Sequence, residues 1–160
     1  MNILLKSAQI LDPKSPYHKQ CKDILIEKGM IKDIADKIDC PKHCKEITLD
    51  QLHVSPGWFD ISVCFGEPGL EERETIENGL QTAAKCGFTA VAVNPNTDPV
   101  ADTKSAIEFM IGKAQGKGTA LHPIGALTKK AAGLDVAELY DMQTSGAIAF
   151  GDYNKPVSNG

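Results

Sequence analysis

The sequence predicts an α/β fold made of a small β unit followed by the first half of a β/α barrel. Three observations predict it. The texture changes near residue 54, from short strands to strands alternating with helices. From residue 55 onward four strand-like runs alternate with three helical ones, and right-handed crossovers lay such strands side by side in order. The runs "AVAV" and "AIAF" are almost continuously apolar, as strands buried on both faces of a parallel sheet are. A complete β/α barrel has eight strands over ~250 residues, so a chain of 160 residues accommodates about four. The expected division is 1–54 for the β unit and 55–160 for the barrel portion.

In the first part, "NILLKSAQIL" is an apolar, β-branched run, and "KDILIEKGMIKDIA" is two alternating runs joined at Lys28 and Gly29. A residue with positive φ costs glycine nothing, so Gly29 suits a tight hairpin. With the extended stretch "EITLDQLHVSPG" these segments predict a small antiparallel unit.

In the second part, "GWFDISVCF", "FTAVAVNPN", "TALHPIGAL" and "AIAFGD" predict strands. Between them lie the helical segments "LEERETIENGLQTAAKCG", "TKSAIEFMIGKAQGKG" and "GLDVAELYDMQTSG". Ile76, Leu80, Ala83 and Ala84 form a core-facing stripe in the first helix. Glu71, Glu72 and Glu74 suit the dipole at its start, and Gly87 follows its end. In the second helix Thr103 is the expected N-cap, with Ile107, Met110, Ile111 and Ala114 facing inward.

Seventeen Lys and Arg against 21 Asp and Glu leave a formal net charge of −4, and no basic cluster exceeds a pair. Such a surface lacks the electrostatic footprint of a nucleic-acid or anionic-membrane binder, so the expected partner is a small molecule or a protein. The N-terminal stretch has Lys6 within its apolar run and no basic leader, and reads as neither a secretory signal nor a spanning helix. The five cysteines are odd in number and form no small secreted framework, so free thiols in the cytoplasm are expected.

The segment "PGWFDISVCFGEPG" followed by "NPNTDPV" resembles the dihydroorotase family of the amidohydrolase superfamily. That family opens approximately P-G-[FW]-[VI]-D-x-H-x-H-x-R-E-P-G, continues through A-A-x-x-G-G-[FV]-T, and reaches M-P-N-T-x-P-V one helix later. Pro56, Gly57, Asp60, Glu67, Pro68, Gly69, Gly87, Thr89, Pro95, Asn96, Thr97, Pro99 and Val100 stand in register with it. "GAIAFGDYNKPV" is similar to the family's G-A-V-A-F-[ST]-D-D-G-x-P-V, and residues 1–54 are similar to the small β-sandwich that precedes the family's barrel. The resemblance implies an amidohydrolase barrel, of which less than half is present. It also implies pyrimidine biosynthesis, with one or two zinc ions at the barrel mouth interconverting dihydroorotate and carbamoyl aspartate.

Three departures fall in that site. Side chains two apart on a strand point to one side, which is how H-x-H grips an ion. Here the two positions are Ser62 and Cys64, and one thiolate does not replace two imidazoles. The arginine that would pair with a substrate carboxylate through two parallel hydrogen bonds is Gly66. At the fourth strand D-D-G becomes Asp152, Tyr153 and Asn154, so Asp152 and Cys64 are the remaining candidate metal ligands and Asn96 the remaining substrate-binding candidate. The expectation is therefore a dihydroorotase-like protein that is catalytically silent or impaired, with zinc absent or weakly held and a small-molecule substrate in doubt. The alternatives are an active cyclic-amide hydrolase with a reduced metal site, and a structural partner of an aspartate carbamoyltransferase. The remainder of a barrel, or a second copy, is expected to cover the exposed strand edge.

Other clusters carry less. "CPKHC", with Cys40, His43 and Cys44, has weak zinc spacing even with Cys21 added, and reads as a polar loop. His122, opening the third strand, reads as a structural histidine.

Overall fold

The computed structural model describes residues 2–158, which divide into two units on either side of the Pro56–Gly57 bond. The first is a single mixed sheet of β1 (Asn2–Ile10), β2 (Cys21–Glu27), β3 (Met30–Ala35), β4 (Cys44–Ile47) and β5 (His53–Val54). Its order is β3-β2-β1-β4, with β5 also paired to β1. The hairpin forms where expected: Glu27 pairs with Met30 across Lys28 and Gly29, both at positive φ. The expected all-antiparallel unit is corrected, because β4 and β5 both run parallel to β1. The stretch read as one strand, "EITLDQLHVSPG", breaks between Ile47 and His53, and its two pieces add to β1 at different heights.

Ala8, Ile10 and Ile24 form the core of this sheet with Tyr17, Ile34 and Leu52 against them. Asp23 is buried beneath a bulge in β1, where it takes the Lys6 ammonium and the backbone N–H groups of Ser7 and Ile38. Burial by itself raises the Asp23 carboxyl, but the Lys6 hydrogen bond and the two backbone donors outweigh it and hold the group below its ordinary value.

The second unit is a parallel sheet in sequence order: β6 (Trp58–Val63), β7 (Phe88–Val93), β8 (Ala120–Gly125) and β9 (Ala149–Phe150). Helices α1 (Ile76–Lys85), α2 (Lys104–Ala114) and α3 (Leu139–Thr144) connect the strands. Val91, Val93 and Leu121 pack under Ile76, Leu80 and Met110, while Ile107 and Met142 join α2 to α3. On the other sheet face, Phe59 of β6 meets His122 of β8 edge to face, with centroids 5.9 Å apart.

Two expectations for this unit are corrected, the start of α1 and the length of α3. Helix α1 begins at Ile76, capped by the Thr75 hydroxyl on the Asn78 N–H, so Glu71, Glu72 and Glu74 precede it. The reason is the buried carboxylate of Glu67, which accepts from the Ile76 N–H at 2.8 Å and from Lys113 at 2.8 Å, and so anchors the first turn. Thr103 is the N-cap of α2 as expected, with extended backbone and without a side-chain cap bond. Helix α3 shrinks to six residues, because residues 126–138 form a loop closed by a Thr128–Val136 bridge. No described helix is long and apolar enough to cross a membrane.

The loops that follow β6 and β7 cross at close quarters. The Asp98 N–H donates to Pro68 O at 3.0 Å, and a Cβ placed on Gly69, at φ +90°, would fall 1.6 Å from Asp98 O. Gly69→Ala is therefore expected to cost ~3 kcal/mol or more. Gly116→Ala, at φ +74° but with open space around it, is expected to cost ~1 kcal/mol; urea denaturation of the two variants compares them. In the first unit, a carboxyl lowered on folding stabilises above its unfolded pKa, and that contribution is lost as pH falls through the folded value. Stability is accordingly expected to decline below about pH 4 and to do so less in Asp23→Asn, as read by denaturation at a series of pH values.

Candidate functional site

The site is built where the parallel strands end. Ser62 lies near the end of β6, Cys64 just beyond it, and Asn94 just beyond β7. The register of β6 against β7 slips between Asp60 and Val63, where three steps on β6 match two on β7. This bulge puts both Asp60 and Val63 on the helix-facing side, beside Phe65 and Ala83. Simple alternation would have put Asp60 and Ser62 on one face; instead the Asp60 carboxylate accepts the Ser62 backbone N–H at 3.0 Å.

Ser62 and Cys64 converge, and a residue that sequence reasoning overlooked joins them. The Asn94 side-chain nitrogen donates to Ser62 Oγ at 3.0 Å, to Val63 O at 3.2 Å and to Cys64 Sγ at 3.6 Å. Asn94 is only 6% exposed, whereas Ser62 and Cys64 are exposed. The missed signal was a fourth departure: Asn94 stands where the resembling pattern M-P-N-T has methionine.

Tyr153 completes the cluster. Hydrogen bonding to the Cys64 sulfur, then the charge on that sulfur, then burial raise the Tyr153 phenol above its ordinary value. Ser62, Asn94, Ile124, Phe150, Tyr153 and Asn154 line an open basin of about 450 Å³ with no imidazole among its lining residues.

The other expected residues point elsewhere. Asp152 is buried, and its oxygens accept from the Thr128 N–H at 2.9 Å and the Thr128 hydroxyl at 2.5 Å. Thr128 Oγ1 in turn accepts from the Gly133 N–H at 2.8 Å, so this carboxylate organises the loop after β8. Asn96 lines a separate cleft of about 170 Å³ with Thr97, Asp152, Tyr153 and Lys155, and its buried Oδ1 has no hydrogen-bond partner.

Gly66 is buried at φ +109°, and a Cβ there would lie 2.7 Å from Leu70 O. The backbone itself, accepting the Leu70 N–H at 3.1 Å, has taken a path that excludes an arginine.

The zinc that the resemblance implies does not fit these donors. The hydroxyl and thiol that replace the imidazoles face amide protons, and Asp152 is turned to Thr128. Among the described residues no group of three or more His, Cys, Asp or Glu can hold a metal ion. Cys40 and Cys44 lie close enough for the Cys40 thiol to raise that of Cys44, after burial, without a third such ligand.

A parallel βα series carrying a polar cluster at the strand C-termini defines the class: part of a β/α barrel. The L-hydantoinase (dihydropyrimidinase) of Arthrobacter aurescens superposes with a TM-score of 0.74 at 22% identity, over 92% of this chain and 32% of its own. A dihydroorotase crystal structure superposes at 0.62 with 14% identity, over 93% and 41%.

Residues 52–158 match the family described as dihydro-orotase-like, and the chain belongs to that family. The dihydroorotase of Ruminiclostridium cellulolyticum is 38% identical over 99% of this chain and 37% of its own length. That of Syntrophotalea carbinolica is 39% identical over 100% and 37%. The chain thus spans little more than a third of these curated relatives.

Gly66→Arg is expected to lower stability by about 1–3 kcal/mol and to confer no affinity for a carboxylate ligand. Thermal denaturation and calorimetric titration with dihydroorotate check the two halves of that expectation.

Proposed function

We infer that this chain is part of a dihydroorotase-like protein of pyrimidine synthesis that has lost metal-dependent turnover. The observation that carries the reading is the Asn94 amide, which donates to both positions where the resembling family places imidazoles. Gly66 supports it independently, because the residue that would grip the substrate carboxylate has no side chain and no room for one. Asn96 and the cleft beside Lys155 are the part of the substrate site that remains available for a polar ligand.

The retained fold suits a structural role, and an aspartate carbamoyltransferase, the neighbouring activity in the pathway, is the proposed partner. Further βα units of the same protein, or a second copy, are proposed to cover β6. Its Trp58, Phe59 and Ile61 are 64%, 49% and 70% exposed.

The complete protein, assayed for bound zinc and for dihydroorotate turnover, tests this. The expected result is zinc well below one ion per chain, with turnover at least about three orders of magnitude under that of an intact family member. That deficit is roughly 4 kcal/mol or more of transition-state stabilisation. Stoichiometric zinc with ordinary turnover overturns the reading in favour of an active cyclic-amide hydrolase with a reduced site. Co-purification with a carbamoyltransferase supports the structural role.

A further inference from the structure

We propose that Asn94 is an interlock that excludes a cation from the mouth of this fold, so that restoring the two histidines alone would not rebuild a metal site. This rests on the reading that metal turnover has been lost, and it adds which residue maintains the loss.

The orientation of the amide follows from its neighbours. Val63 O lies 3.2 Å from the atom in question and can only accept, so that atom is the NH₂ nitrogen; the oxygen in its place would set two acceptors against each other. The Asn94 backbone N–H donates to the same carbonyl at 2.9 Å. Backbone and side chain therefore hold to β6 together.

Asn94 also precedes Pro95, and the residue before a proline is confined to extended backbone, which fixes the direction of its Cα–Cβ bond. Being buried, the side chain has little freedom to swing into solvent.

A cation at this point needs the outward lone pairs of residues 62 and 64. Those lone pairs now face N–H protons, which carry partial positive charge. Imidazoles installed there would meet the same donor, and a neutral ring nitrogen accepts an amide N–H with the very lone pair that it would give to a metal. Methionine, which the resembling pattern has at this position, offers no such proton. The histidines and the residue at 94 therefore act as one set.

Cobalt(II), whose absorption reports its coordination, is the probe. It is titrated into four forms of the full chain: unsubstituted, Asn94→Met, Ser62→His/Cys64→His, and the triple substitution. The expected result is that the triple form binds cobalt at least tenfold more tightly than the double form. Equal affinities in the two overturn the proposal.

A second measurement stands if those variants fail to fold. The Asn94 side-chain amide signal, recognised in a ¹⁵N spectrum by its loss in Asn94→Met, is expected to shift in Ser62→Ala and in Cys64→Ala. A signal unmoved by either substitution also overturns the proposal. Equal cobalt affinities would remove the role of Asn94 and leave the silent reading on Ser62, Cys64 and Gly66. Zinc and turnover in the unsubstituted complete protein would remove that reading and leave the cobalt comparison to its own result.

Discussion

The constraint on which the second unit turns is the contact between the loop after β6 and the loop after β7. Gly69 lies so near Asp98 O that no side chain fits between them, and Asp98 returns a hydrogen bond to Pro68. That contact ties the ends of neighbouring strands together. Beside it, the pairing of Val63 with Val93 sets Ser62 and Cys64 next to Asn94. Parallel strands concentrate their C-terminal loops on one side of the sheet, and here they deliver Ser62, Cys64 and Asn94 to that side.

Glu67 extends the same logic to the helices. Its buried carboxylate joins the loop after β6 to the start of α1 and to Lys113 of α2, and the pairing raises the Lys113 ammonium. A charge of this kind is tolerated in a buried setting because both a backbone donor and an ammonium meet it. Glu67, Pro68 and Asp98 thus join the scaffold's loops and helices. At the positions that the resemblance singles out, Ser62 and Cys64 face an amide, Asp152 faces Thr128, and Gly66 lies outside the region of backbone space that side chains favour. The bonds that hold the scaffold and the groups at the strand ends involve different atoms, so the fold alone does not fix the chemistry.

Much of this was legible in the chain itself. Alternation and apolar runs located the four parallel strands, the Lys28–Gly29 turn marked its hairpin, and the resemblance identified the positions at which a metal site would stand. Three features were not legible. The bulge between Asp60 and Val63 reversed the face expected of Asp60, because one extra residue changes the phase of everything before it. The late start of α1 depended on Glu67, a carboxylate nine residues away from the N–H it caps. The shortening of α3 followed from a loop that Asp152 and Thr128 hold across 24 residues of chain.

By itself the sequence determined the class of fold and the family, since periodicity and motif spacing are local properties that each residue carries with it. Only the tertiary structure decided which partners Ser62 and Cys64 meet. Whether a hydroxyl and a thiol form an open pair of ligands or the acceptors of a buried amide depends on what the neighbouring strand delivers. Hydrogen bonding acts over about 3 Å, and which groups come that close is set by how the strands pack and not by their order along the chain.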